Sequence, residues 1–389
     1  MQIRKVLFWL HLILGTAAGI VILIMSVTGV ALMYERQILA WADRGFWSEP
    51  PPGAEKLPIE TLLGKLSEQR RGIPSSITVR SDPAAPVEAV FDRSAPVYIN
   101  PYTGAVAGEG SKGVRQFFRL MTDWHRWLGM EGEGRAVGRA ITGACNLAFF
   151  FLVVTGFYLW WPRKWTWHHV RAVTWFRGGL TGKARDFNWH NVIGFWSAIP
   201  LFFIVLGGVV ISYPWATRLI YTLTGSEAPA QPQRRPGPPP GGRAARPTAP
   251  VNWSGLNAAF AAAEQAVPGW ETITLRLSPS GRGPLSFTVD QSHRGRPDKR
   301  TQLTVDRRTG EVVQRETFDD FNRGRKIRTW LRWIHTGEAG GFLGQTLAGL
   351  VSAGAAVLVW TGIALSWRRF RAWRSRRAAR EEVAVTTAT

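Results

Sequence analysis

The sequence predicts a membrane α-helical protein. It should have four transmembrane helices as two parallel two-helix repeats, with two small α+β domains outside the bilayer. Three observations predict this. Four apolar blocks, 9–33, 139–161, 193–213 and 342–367, each reach the ~20 residues needed to cross the hydrocarbon core. The chain repeats its own order of motifs. The short segments that the four blocks place on one side carry a strong excess of basic over acidic residues.

The first segment, 1–33, begins with Arg4 and Lys5 and runs apolar to LMYERQ. That end is not a small-residue cleavage site, and the run exceeds a signal-peptide core, so a retained anchor is expected. Residues 34–137 form the first outer domain, with a helix at IETLLGKLSEQ, strands at SSITVR and VEAVF, and a hairpin in VYINPYTGAVAGE. There Asn100 caps the turn and Gly104 takes φ > 0. The second span covers 138–161. It carries Cys145, the only cysteine, so an intramolecular disulfide and a thiolate metal site are both excluded.

The loop 162–188 holds Arg163, Lys164, Arg171, Arg177, Lys183 and Arg185 against Asp186 alone. The third span, 189–213, leads into 214–250, a Pro-, Gly- and Arg-rich stretch read as a disordered tether. The second outer domain, 251–341, repeats the first: a helix in SGLNAAFAAAEQAV, strands at TITLRL and PLSFTV, and a hairpin in LTVDRRTGEVVQRE turned by Asp306 and Gly310. The fourth span, 342–367, ends in the tail 368–389 with SWRRFRAWRSRRAAR. More than half of the net charge of +21 lies in the N-terminus, the 162–188 loop and the tail. That placement argues for the positive-inside rule, both termini cytoplasmic, rather than for nucleic acid. The 20 tryptophans, among them Trp160, Trp161 and Trp165, suit an interfacial aromatic belt.

The repeat is direct. His11 matches His190, Gly15 matches Gly194, Gly29 matches Gly208 and Tyr34 matches Tyr213, without a gap. Thr155-Gly156 matches Thr361-Gly362, Trp161 matches Trp367, and His125 has its counterpart in His335. Two parallel repeats imply a pseudo-twofold axis along the membrane normal. Such an axis brings His11 to face His190 at one depth, and His125 to face His335 at the other. Two converging imidazoles in a helix bundle are the ligand set of a six-coordinate haem iron. Gly15 and Gly19 below His11, and Gly194 and Ala198 below His190, leave room for a flat macrocycle; alternatively they let helices approach closely. Polar contact between helices is the alternative for the histidines themselves. His168, His169 and His293 sit in basic or turn-like surroundings and carry no such expectation.

Four spans, two outer domains with the D/N-x-x-T-G turn, H-x-x-x-G opening two spans and T-G closing the other two resemble the PepSY-associated membrane proteins. The resemblance covers nearly the whole chain except the Pro-rich stretch and the tail. It implies PepSY-like periplasmic domains, an inner-membrane location, and two haem b groups held by His11, His190, His125 and His335. It also implies kinship to dihaem reductases of ferric siderophores. One departure stands out, TGEAGG after His335 where RWLG follows His125.

The function expected is electron transfer through two bis-histidine haems to a periplasmic ferric chelate or other oxidant, making the protein a haem-dependent oxidoreductase. The donor would be a quinol or a cytoplasmic reductase, since no G-x-G-x-x-G follows a strand. No catalytic residue is assigned, because G-x-S-x-G, H-E-x-x-H and a Walker loop are all lacking. The alternative is a scaffold whose outer domains bind a periplasmic peptidase or envelope partner. Proton-coupled transport fits less well, as the spans hold no carboxylates for a relay.

Overall fold

The computed structural model describes residues 2–70, 72–91, 95–161, 165–229, 252–277, 283–292 and 296–386. Arg163, Lys164, His293 and most of the Pro-rich stretch lie outside the described residues. The helices in chain order are α1 (Gln2–Leu32), α2 (Glu35–Ala42), α3 (Ile59–Gln69), α4 (Lys112–Trp127), α5 (Gly134–Trp160), α6 (Trp167–Thr174), α7 (Gly182–Ser212), α8 (Pro214–Leu223), α9 (Leu256–Ala266), α10 (Arg323–His335) and α11 (Gly341–Thr386). The strands are β1 (Ser76–Arg80), β2 (Val87–Val90), β3 (Val97–Ile99), β4 (Val106–Glu109), β5 (Thr272–Arg276), β6 (Leu285–Asp290), β7 (Arg300–Val305) and β8 (Val312–Glu316).

Two compact units result. One comprises Met1–Tyr34, Phe118–Ile220 and Ile327–Thr389; the other comprises Glu35–Phe117 and Tyr221–Lys326.

In the first unit α1, α5, α7 and α11 are long and apolar enough to cross a membrane. Each packs on two others, in the ring α1–α5–α7–α11, so α1 and α7 stand at opposite corners. Glycines set how closely the returning spans begin. A side chain at Gly138 of α5 would run into the Trp127 carbonyl, and one at Gly344 of α11 into the Ala339 carbonyl. The spans start earlier than hydropathy alone places them, because polar first turns find partners. Asp186 in α7, 1% exposed, accepts hydrogen bonds from Arg185 at 2.9 Å and Arg368 at 3.0 Å. At the same end the Arg185 guanidinium lies over Trp189 and Trp360, and that of Arg369 over Phe8 and Trp9.

In the second unit the strands form one eight-stranded sheet, β4-β3-β2-β1-β5-β6-β7-β8. The two outer segments therefore do not close as separate domains. Four strands and one helix leave an open edge on each half, and the antiparallel pairing of β1 with β5 removes both. One face is covered by α3 and α9, which bury Leu62, Leu63 and Leu66 with Phe260, Ile77, Ile273 and Phe287 in a single core. The helices also satisfy each other's free N–H groups. Glu60 N donates to Asn257 Oδ1 at 3.1 Å, and Asn257 N donates to Glu60 Oε1 at 3.0 Å. The opposite face is polar; Thr78 and Thr274 hydroxyls meet across the junction at 3.0 Å. The turns form as their sequence dictates. Asn100 Oδ1 accepts from the N–H groups of Tyr102 and Thr103, Asp306 Oδ1 from those of Arg308 and Thr309, and Gly104 and Gly310 take φ of 72° and 75°.

A buried acid ties three parts of this unit together. Asp43, 3% exposed, accepts from Tyr98 Oη at 2.9 Å, Ser111 N at 2.7 Å and Arg115 Nη2 at 2.5 Å. Burial by itself pushes the Asp43 carboxyl up, but the bonds from Arg115, Ser111 and Tyr98 outweigh it and leave it below the ordinary carboxylate value. Burial and the neighbouring acids raise Tyr98.

Arg115→Ala leaves that carboxylate buried without its cation, and should cost about 3–5 kcal/mol in chemical unfolding followed by circular dichroism. A carboxyl with a depressed folded pKa stabilises fully above its unfolded value of about 3.9, and the contribution is lost as pH falls through the folded value. The gap between wild type and variant should thus hold from neutral pH down to that range and close only below it. In the first unit, Gly138→Ala and Gly344→Ala should each destabilise by about 1–3 kcal/mol through overpacking. Gly64→Ala, in α3 with open space around it, should instead gain about 0.5–1 kcal/mol.

Candidate functional site

The four histidines occupy two levels of the ring. His11 lies in α1 and His190 in α7, near the ends where those helices begin. His125 and His335 are not in the spans. They lie at the C-terminal ends of α4 and α10, and their ring centres are 6.2 Å apart, tilted by 56°. All four are half-buried.

Local sequence explains why the second pair sits where helices stop. After His125, Leu128 and Gly129 both take left-handed conformations, φ 54° and 71°, and Gly129 N closes onto Asp123 O at 3.2 Å. This is the hydrogen-bonded close of a helix end. A leucine in that region is costly; Arg126 and Arg135 brace the turn by lying against the Trp127 ring. After His335 the stop is made by Gly337, φ 71°, with Glu338 N on Trp333 O and the Glu338 carboxylate on Trp333 Nε1. The two unlike sequences, RWLG and TGEAGG, thus make the same kind of stop.

Each imidazole is oriented by an oxygen acceptor on Nδ1. His11 Nδ1 is 2.9 Å from Thr155 Oγ1 of α5, His190 Nδ1 is 3.0 Å from Thr361 Oγ1 of α11, and His125 Nδ1 is 3.0 Å from Thr28 Oγ1 of α1. Every one of these threonines donates its own proton to the carbonyl one turn back, Phe151, Val357 and Ile24. Their oxygens are therefore left to accept from Nδ1–H. His335 differs, with Nδ1 on the Ile204 carbonyl of α7 at 2.7 Å. An acceptor on Nδ1 fixes the tautomer that carries the lone pair on Nε2. A glycine backs each ring. A Cβ on Gly156, Gly362, Gly29 or Gly208 would stand 3.3, 3.4, 3.5 or 3.1 Å from Cε1 of His11, His190, His125 or His335.

These threonines and glycines are the residues that sequence reasoning did not assign. The signal was present, since Thr155-Gly156 and Thr361-Gly362 repeat and Gly29 matches Gly208. The small residues below His11 and His190 lie against neighbouring helices, the close approach also expected of them. A Cβ on Gly15 would meet Leu152, one on Gly19 would meet Ile363 and Val359, and one on Gly194 would meet Leu358, which is close helix approach. His168 and His169 lie in α6, with His169 Nδ1 on Thr166 Oγ1. Cys145 is half-buried in α5.

The arrangement offers two pairs of imidazole Nε2 atoms. Among the described residues no group of three or more His, Cys, Asp or Glu gathers in one place, so neither pair is part of an all-protein cage. A metal–imidazole bond is about 2.0–2.1 Å, and the ring centre lies about 1.2 Å behind its nitrogen. Rings on opposite sides of one metal therefore have centres roughly 6.4–6.6 Å apart, slightly more than the 6.2 Å between His125 and His335. The 6.2 Å between the ring centres of His125 and His335 leaves room for one metal between them.

A family model for the PepSY-associated TM region matches residues 8–369. The chain belongs to this family. It is a multi-pass membrane protein, with both histidine levels inside the matched region. No curated protein matches the chain.

Thr155→Val keeps the shape but removes the acceptor from His11 Nδ1, and Thr361→Val does the same for His190. Proton NMR of selectively labelled histidine should show the corresponding Nδ1–H resonance lost or exchanging faster in each variant, with the other three unchanged.

Proposed function

We propose that this PepSY-associated membrane protein is a transmembrane electron-transfer protein that binds two haem b groups and reduces a ferric chelate, ferric siderophore foremost, on the far side of the bilayer from its electron donor. The observation that carries the proposal is the repeat-matched set of imidazoles, each with Nδ1 held by a protein oxygen, with the rings of His125 and His335 side by side. Bound there, haem would supply one-electron redox chemistry, its potential set by axial ligands, their hydrogen bonds and the surrounding dielectric.

The chain's own residues do the rest. His11 and His190 from opposite corners of the ring would hold one group, and His125 and His335 the other. Thr155, Thr361 and Thr28 fix the donor nitrogens and raise their basicity, as outer partners of metal-ligating histidine do. The apolar faces of the four spans keep water and ions from following the electron. Each electron delivered reduces one Fe(III) to Fe(II), which binds hard oxygen ligands less strongly, so the chelate releases it. The electron comes from a quinol or a cytoplasmic reductase.

Two observations support an inner-membrane orientation with both termini cytoplasmic. Pairing of β1 with β5 requires the two outer segments to share one side of the bilayer, so the termini share the other. The guanidinium and indole groups clustered around Arg185, Arg368 and Arg369 suit the cytoplasmic interface. On this reading the eight-stranded sheet is periplasmic, where it would meet the oxidant.

The protein purified in detergent should show a low-spin b-type spectrum and about two haems per chain by pyridine haemochrome. His190→Ala and His335→Ala should each lose one haem, and they should lose different ones. A haem-free protein from cells given ample iron and haem precursor would overturn the proposal in favour of a scaffold that binds a periplasmic partner through the sheet.

A further inference from the structure

Three histidines use a threonine hydroxyl and one uses a backbone carbonyl, and the repeat shows why. The position in α7 that matches Thr28 is Gly207. A Cβ on Gly207 would stand 2.5 Å from the Leu331 carbonyl and 2.9 Å from His335 Cβ. α10 therefore approaches α7 backbone to backbone, and His335 reaches the Ile204 carbonyl directly.

A second side chain grips the next carbonyl. Asn146 of α5, 4% exposed, donates from Nδ2 to Val205 O at 3.2 Å. Its amide also borders the same glycine as His335; a Cβ on Gly208 would stand 2.9 Å from Asn146 Nδ2, 3.0 Å from its Oδ1 and 3.1 Å from His335 Cε1. Two consecutive carbonyls of α7, 204 and 205, are thus bound from α10 and α5. By the offset that carries Thr155 onto Thr361, the counterpart of Asn146 is Ser352, so the first repeat has a carboxamide where the second has a hydroxymethyl group. Interhelical hydrogen bonds of this kind add little stability on average, whereas polar side chains inside spans mark functional places.

We infer that Asn146 is a positioning residue for His335: it fixes the stretch of α7 whose carbonyl orients that imidazole, and so makes the second level unlike the first. The inference rests on the haem proposal above. With Asn146 removed, Ile204 O is held less firmly, His335 loses its fixed ring plane, and only the second-level group feels it.

The test uses the full-length protein in detergent, with haem content by pyridine haemochrome and low-temperature EPR of the oxidised form. The two low-spin signals are first assigned through His190→Ala and His335→Ala. Asn146→Ala should weaken second-level haem retention about 10-fold, as loss of an outer partner does, and shift that level's signal while the first-level signal stays. Asn146→Ser, the residue its counterpart carries, should act in the same direction and guards against a fold defect in the alanine variant. Asn146→Gln should restore the signal in part, and Ser352→Ala should move neither. Unchanged signals and haem content in both Asn146→Ala and Asn146→Ser would overturn the inference while leaving the two-haem reading intact. Equal loss of both haems would also overturn it, since a general packing role does that. A wild-type protein without haem would overturn the reading and the inference together.

Discussion

An imidazole between membrane helices has to give its N–H to an acceptor that is itself satisfied, and much of the first unit follows from that. Water is not at hand to take the proton, so the acceptor must come from a neighbouring helix at the right depth. Threonine solves this because its hydroxyl bonds back to its own helix and still has a lone pair to offer. The choice then constrains the next residue. For the ring to reach the threonine it must lie against the neighbour's backbone, and Gly156 and Gly362 follow Thr155 and Thr361 directly. The depth of each threonine, the glycine beside it and the closeness of the two helices are one solution to one polar group.

The second unit answers a different constraint, the open edge of a small sheet. Each half brings four strands and one helix, too little to hide its own edge, and the two halves cancel one edge each by joining. The join also merges two thin hydrophobic layers into a single core beneath α3 and α9. Asp43, buried with Arg115, Tyr98 and Ser111, then fixes the segments that enter and leave the sheet. A polar cluster of that kind contributes a definite geometry more than net stability.

Much of this was legible beforehand, and the parts that were not share a cause. The spans could be read because length and apolarity are local properties. Their starts could not, since the polar early turns of α7 are satisfied from other elements, Asp186 by Arg368 of α11 and Asn188 by the carbonyls of Ala172 and Trp175. Both hairpin turns followed from Asn or Asp and Gly at fixed offsets. The merging of two domains into one sheet did not, because nothing in β1 or β5 alone names its partner. The four histidines stood out only through the repeat. The threonines that orient them were visible as a repeated dipeptide, but their role depends on how deep one helix sits against the next, which no single-chain pattern encodes. Helical periodicity put Gly15 and Gly19 on the face of His11 correctly, yet the branched side chains of α5 and α11 that fill the space beyond them come from elsewhere.

The β1–β5 junction also imposes an order of events during synthesis. Thr78 and Thr274 touch although 196 residues separate them, and two whole spans are made in between. At about 5–20 residues per second, β1 waits roughly ten to forty seconds with a bare edge before its partner emerges. During that interval the nascent first half is the most vulnerable form of the protein, open to any other extended strand nearby. α5 and α7 are thus complete before the sheet can close, so the second unit can finish folding only after both long apolar helices have been made.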